Sequence, residues 1–135
     1  VVTSYVDTSA LLKRYVEESD SDHATYLLNA DPVLVTSWVT LVEARRNLAR
    51  LLNGAPLRSA QRQLTSDFEA FAVVSCEESV ASLAAEIGET LGVRSLDAIH
   101  LATAKRLQIP DLSFVTFDLR QAQAARSLGL QVLGA

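Results

Sequence analysis

The sequence predicts an α/β fold in which helices cover both faces of a parallel sheet. Three observations predict it. Short apolar runs of three to six residues alternate with helical stretches along the whole chain. Connections of helical length between such runs suit parallel strands and right-handed crossovers. Gly, Pro and capping residues fall at the boundaries between the two kinds of segment.

Each element has its own justification. Residues 1–6 form a β-branched and aromatic run that ends at Asp7. Ser9 precedes a helical pattern with Leu11, Leu12, Tyr15 and Val16 on one face, and residues 22–29 read as a second short helix. Asp31-Pro32 is a turn, and residues 33–36 a second strand. Ser37 can cap a longer helix with Trp38, Leu41, Val42, Leu48, Ala49 and Leu52 at helical spacing, stopped by Asn53-Gly54. Pro56 suits the first turn of the next helix, which runs to about Ala70. Residues 71–76 form a strand, with Cys76 expected as a small buried hydrophobe. Residues 77–91 form an Ala-rich helix with acids at its start, ended by Gly92. Ser95 opens a helix through Leu107, closed before Pro110. A strand over 114–117, a helix over 119–128 stopped by Gly129, and a strand over 131–133 complete the chain.

Composition removes several classes. A chain of 135 residues with 49% hydrophobic and 21% charged residues suits one globular domain, residues 1–135, and excludes a disordered chain. A single cysteine excludes a disulfide framework and a Cys-built zinc site within one chain. The longest charge-free run, residues 32–42, has 11 residues, against about 20 for a membrane-spanning helix. Asp7 and Lys13 interrupt the N-terminal apolar stretch, so no signal peptide is read and a cytoplasmic protein is expected.

The net charge of −4 conceals a split. Residues 40–66 carry Arg45, Arg46, Arg50, Arg58 and Arg62 against Glu43, a local +4, which leaves −8 for the remainder. Arg suits phosphate because its guanidinium forks onto two oxygens. A solvated pair of helices explains the same cluster without a ligand.

In parallel sheets, ligands bind outside the carboxyl ends of the strands. Asp7 and Asp118 each stand directly after a predicted strand, and Glu43 and Asp97 lie in early turns of apolar helices. Singly, each has a structural explanation: Asp7 and Asp118 as helix caps, Asp97 as a helix-dipole partner, Thr40 to Glu43 as a capping box. Gathered at one sheet edge they would repel, by about 4 kcal/mol for two charges 4 Å apart at an effective dielectric of 20. Cations, protons or arginines must offset that. Hard oxygen ligands without Cys or a His pair select Mg²⁺ or Mn²⁺ over zinc. Positions 43, 46, 47 and 50 share a helix face, so Glu43 is expected beside Arg46, Asn47 and Arg50. His100, one turn after Asp97, is expected as a satisfied core residue, with the pocket as its other possible place. His23 is expected to be exposed.

Four segments together resemble the PIN-domain ribonucleases, most closely the VapC-type toxins of bacterial toxin–antitoxin pairs. They are residues 5–11 (YVDTSAL), the helix of Glu43, residues 96–102 (LDAIHLA), and residues 115–118 (VTFD) with the downstream Ala-Ala and Leu128-Gly129-Leu130. The resemblance implies a three-layer α/β/α sandwich with a central parallel sheet of about four or five strands. It implies Mg²⁺- or Mn²⁺-dependent cleavage of RNA at an acidic pocket of Asp7, Glu43, Asp97 and Asp118. Ser9 would supply a hydroxyl beside the first Asp, and Arg46 and Arg50 would hold flanking phosphates. The implied partners are RNA, a small antitoxin and a second copy of the chain, with the helices around residues 48–64 offering apolar residues for the antitoxin. The rival readings are a non-catalytic RNA-binding PIN module and a metal-dependent phosphatase acting on small substrates. A haloacid-dehalogenase-type phosphatase fits less well, because position 9 is Ser where that family has a second Asp. No Gly-x-Gly-x-x-Gly exists for a dinucleotide.

Overall fold

The computed structural model describes residues 3–31 and 33–135. Five strands and seven helices alternate: β1 (Thr3–Val6), α1 (Thr8–Leu12), α2 (Ser21–Ala30), β2 (Val33–Ser37), α3 (Trp38–Leu51), α4 (Gly54–Ala70), β3 (Ala72–Val74), α5 (Glu78–Leu91), α6 (Ser95–Leu107), β4 (Ser113–Thr116), α7 (Leu119–Ser127) and β5 (Gln131–Gly134). The strands form one sheet in the order β3-β2-β1-β4-β5. Every pairing is parallel. This is the α/β architecture that the alternation predicts. The first two residues of the expected first strand, and Pro32 of the expected turn, lie outside the described residues.

The period-2 alternation of strand side chains builds the three layers. Tyr5, Val35 and Phe114 point to one face and pack with α5, α6 and α7 through Val80, Ile87, Leu101 and Ala125. Their neighbours Val6 and Val115 point to the other face, against Leu11, Leu28, Leu48 and Leu64. Those last residues belong to α1, α2, α3 and α4. The order of strands reverses direction at β1, since the chain moves first toward β2 and later returns to β4. The carboxyl ends of β1 and β4 therefore flank the switch point, where an open α/β sheet leaves a crevice.

Some expectations are corrected. The helix after Asp7 is regular only to Leu12 and goes on as turns, yet Leu12, Tyr15 and Val16 still pack on the second core. On α3 the buried stripe is Thr40, Ala44 and Leu48. Val42 lies two residues off that stripe, about 200° around the helix, and is 69% exposed. Trp38 is half exposed, its ring lying 6.0 Å from that of Phe68. Ser37 caps α3 by accepting the Val39 N–H, so Thr40 is an interior residue and not the start of a capping box. Cys76 is exposed. The edge strand β3 ends at Val74, and the chain leaves the sheet in a turn closed by Glu77 N–H to the Ser75 carbonyl. Of the apolar residues over 48–64, Leu48 and Leu64 are fully buried, whereas Leu51 is half exposed.

The last strand buttresses the crevice. Gly134 pairs with Thr116 and has a φ of 108°. A Cβ there would press into the Thr116 carbonyl oxygen, and that φ is costly for any L side chain. Gly134→Ala is expected to lower stability by about 1–3 kcal/mol, read from urea unfolding. A parent-like midpoint would show that β5 shifts at no cost.

Candidate active site

The site is assembled by strand ends and helix starts. Asp7 follows β1 and caps α1; its Oδ1 accepts the Ala10 N–H at 3.2 Å and the Ser9 hydroxyl at 2.7 Å. Ser9 Oγ also accepts the Phe117 N–H at 3.0 Å and lies 3.1 Å from Thr116 Oγ1. Ser9 thus ties the end of β1 to the end of β4. Asp118 caps α7, its Oδ1 accepting the N–H groups of Arg120 and Gln121 at 2.9 and 3.1 Å. The capping reading and the site reading of these two acids are therefore compatible, because a cap uses only one carboxylate oxygen.

Glu43 reaches in from α3. Its Oε1 accepts the Thr8 hydroxyl at 2.7 Å and lies 2.6 Å from His100 Nε2. Asp97, in the first turn of α6, pairs through Oδ2 with Arg94 Nε at 3.2 Å. Arg94 Nη2 lies 3.8 Å from Asp118 Oδ2, so one guanidinium spans both acids. Asp7, Glu43, Asp97 and Asp118 all line one cleft of about 180 Å³ together with Ser9, Asn47, Arg94 and His100. Clefts of about 440 and 490 Å³ exist elsewhere, one at the amino end of β5 and one along α5 and α6. They lack this convergence of charge.

Electrostatics separate the acids. Asp7 is 3% exposed. Burial raises its carboxyl pKa above the ordinary value, against the opposing pull of His100, Thr116, Ser9 and the Ala10 N–H. Burial alone would also raise Glu43. The His100 hydrogen bond and charge, then Thr8 and Arg94, outweigh it and bring Glu43 below its ordinary value. Four hard oxygen donors without a thiolate fit a divalent cation such as Mg²⁺ or Mn²⁺. In this arrangement no three of the His, Cys, Asp and Glu side chains among the described residues converge closely enough to share one ion. Arg94 supplies the cationic charge that the cluster requires.

The structure brings the four acids and Ser9 together in one cleft. Arg46 and Arg50 lie outside the cleft lining, and both are exposed. Arg50 donates to Asn47 Oδ1 at 3.1 Å, and Asn47 donates to the Glu43 carbonyl at 2.9 Å. The shared face is real, but it reaches the Glu43 backbone and not its carboxylate. Two participants were missed, Thr8 and Arg94. Arg94 carried a signal, standing three residues before Asp97 at the helix start. Thr8 carried none, because a hydroxyl between two other polar residues is commonplace. His100 is both buried and in the cleft wall, which unites the two expected places. His23 is exposed and its ring meets Phe117 edge-on at 5.6 Å.

The PIN-domain profile matches residues 4–127, and the chain belongs to the PIN-domain family. Its curated relatives include Ribonuclease VapC46 of Mycobacterium tuberculosis, 34% identical over 129 residues that cover 96% of this chain and 95% of the relative. Ribonuclease VapC35 of the same organism is 35% identical over 134 residues, covering 96% and 94%. Among solved structures, FitAcB from Neisseria gonorrhoeae superimposes with a TM-score of 0.77 at 23% identity, covering 97% of this chain and 96% of that one. The sarcin-ricin-loop-cleaving toxin VapC20 of M. tuberculosis gives 0.74 at 20% identity, covering 90% and 94%. At such identities the structural likeness speaks for the fold.

Proposed function

We propose that this protein is a metal-dependent endoribonuclease, a single PIN-like domain acting as the toxin of a toxin–antitoxin pair. The observation that carries the reading is the convergence of Asp7, Glu43, Asp97 and Asp118 on one cleft at the sheet's switch point. The ribonuclease names of relatives that match nearly the whole chain support it. Asp7, Asp97, Asp118 and Glu43 would hold Mg²⁺ or Mn²⁺, which when bound lowers the pKa of water and stabilises charge on phosphoryl oxygens. Ser9 and Thr8 hold Asp7 and Glu43 by hydrogen bonds. Arg94 stands where it offsets repulsion between Asp97 and Asp118 and can meet a phosphate. In-line attack would leave 5′-phosphate and 3′-hydroxyl ends.

The partners of this reading are RNA, a cognate small antitoxin and a second copy of the chain, in the cytoplasm. Structural neighbours include FitAB bound to a DNA fragment and a VapBC-5 member of the VapBC toxin–antitoxin family. Exposed apolar side chains on α3, Trp38, Val42 and Leu51, offer contact area for a protein partner. Light scattering at high concentration tests the dimer, which a monomer at every concentration would exclude. The nuclease reading is tested with end-labelled RNA and with small phosphate monoesters, each in Mn²⁺. RNA cleavage with idle monoesters is expected. Turnover of monoesters alone would overturn it in favour of a phosphatase, and RNA binding without cleavage in favour of a binding module.

If the exposed arginines of residues 40–66 follow the RNA backbone, binding is salt-sensitive despite the net charge of −4. On an Asp7→Asn background, which prevents cleavage, Arg46→Ala and Arg50→Ala are each expected to shallow the log–log salt slope by about 0.7. Arg45→Ala, turned about 100° around the helix, is expected to change it less. Fluorescence anisotropy titrations over a range of salt read the slopes. Identical slopes for all variants and the parent would reduce the cluster to a solvated face.

A further inference from the structure

Behind Glu43 lies a buried polar chain that the proposed reaction does not itself use. His100 is 1% exposed and Tyr5 is fully buried. The Tyr5 hydroxyl lies 2.8 Å from His100 Nδ1, and His100 Nε2 lies 2.6 Å from Glu43 Oε1. Burying a phenol and an imidazole costs free energy unless both are hydrogen-bonded. A Phe and a Leu would fill a core at less risk, so a satisfied pair that ends on a carboxylate has a use to explain.

The hydrogen-bond inventory gives the chain a direction. An ionised carboxylate only accepts, so the proton facing Glu43 belongs to Nε2. When the imidazole is neutral, Nδ1 is then the acceptor and the Tyr5 O–H is the donor that fills it. Tyr5 cannot swing away, because its ring stacks on Phe114 at 5.5 Å with planes 10° apart. Thr8 donates to the same Glu43 oxygen at 2.7 Å. Oε1 thus faces two donors, while Oε2 accepts no hydrogen bond among the described residues. Asp7 and Asp118 show the same division, each with Oδ1 taken by two donors. Asp97 is held differently, by Arg94 alone.

We propose that Tyr5 and His100 are a positioning pair for Glu43. The phenol sets the imidazole tautomer, and the imidazole commits one carboxylate oxygen to the protein so that the other is offered to the cleft. Neither residue touches the reacting atoms. The inference rests on the reading that Glu43 serves a divalent cation, and it adds that the service depends on the tautomer behind it. Loss of such an outer hydrogen-bond partner typically costs a metal site about 10–100-fold in affinity or activity.

The test uses Mn²⁺ titrations by calorimetry, long-range ¹H–¹⁵N spectra of the histidine rings, and thermal melting. The parent is expected to show His100 protonated at Nε2 and bare at Nδ1. His100→Leu is expected to weaken Mn²⁺ binding about tenfold or more, and His100→Gln, whose amide can donate to Glu43, to recover most of it. Tyr5→Phe removes only the hydroxyl and is expected to blur the tautomer and weaken Mn²⁺ to a lesser degree. Should His100→Leu melt early, Tyr5→Phe/His100→Leu removes the orphaned hydroxyl and repeats the measurement in an apolar core. A proton on Nδ1 in the parent, or Mn²⁺ affinity in a folded His100→Leu or double variant equal to the parent's, overturns the positioning role. A parent that binds no Mn²⁺ overturns the cation reading itself, and is told apart because no variant is then needed.

Discussion

Asp7→Asn is expected to abolish RNA cleavage while leaving the protein folded. The loss should exceed the roughly 100-fold that removal of an outer partner costs a metal site, because on the proposed reading Asp7 would meet the ion directly. The fold should survive because the amide oxygen of Asn can still accept from Ser9 and from the Ala10 N–H, the two donors on Oδ1. Stability adds a second signature. Burial raises the Asp7 pKa in the folded state, and His100 only partly opposes it. A group raised on folding contributes stability below its unfolded pKa and loses it as pH rises through the folded one. The metal-free parent should therefore weaken from acid toward neutral pH relative to the Asn variant. Glu43, lowered on folding, has the opposite sign: its contribution is present above the ordinary glutamate value and is lost as pH falls. Urea unfolding of parent and Asp7→Asn in EDTA, from pH 4 to 8, separates the two. Full cleavage by the Asn variant in Mg²⁺ would remove Asp7 from the site.

The fold was legible because its signals are local and repeated. Each strand is a short apolar run, and Gly92 and Gly129 stop their helices within a residue of where the sequence places them. The acids were legible for a related reason. A strand end is readable, and in a parallel sheet the strand ends share one edge, so Asp7 and Asp118 had to share that edge; the pairing of β1 with β4 makes them neighbours. What was lost was orientation around a helix. Val42 and Leu48 both look apolar in sequence, but only Leu48 falls on the Thr40–Ala44 stripe that meets the sheet. The same limit hid the arginines. Arg46 and Arg50 share a face with Glu43, yet the carboxylate turns inward to Thr8 and His100. Arg94, just before the start of α6, meets Asp97 and Asp118. Contacts between elements more than 90 residues apart, such as Tyr5 with His100, leave no periodicity to read.

Chelation is expected to stop cleavage completely, with Mg²⁺ or Mn²⁺ restoring it and Ca²⁺ restoring it poorly. The acids make the case. Asp7 and Asp118 each hold one oxygen to backbone N–H groups, which fixes them at the cleft whether or not a cation is present. Arg94 alone spans Asp97 and Asp118 among the described residues, and that guanidinium is largely exposed. Two acids anchored at one cleft, with Glu43 and Asp97 beside them, offer oxygen donors that a small, hard cation would draw together. Ca²⁺ prefers longer bonds and more ligands, so it should bind and yet misplace the phosphate. Binding should also appear as stability, about 2.7 kcal/mol when the free cation stands at 100 times its dissociation constant. That gain should shrink in Asp7→Asn. Melting temperatures and cleavage rates measured in parallel, in EDTA and after each cation is added back, test both halves. Cleavage undiminished in excess chelator would mean that the four acids serve some other end.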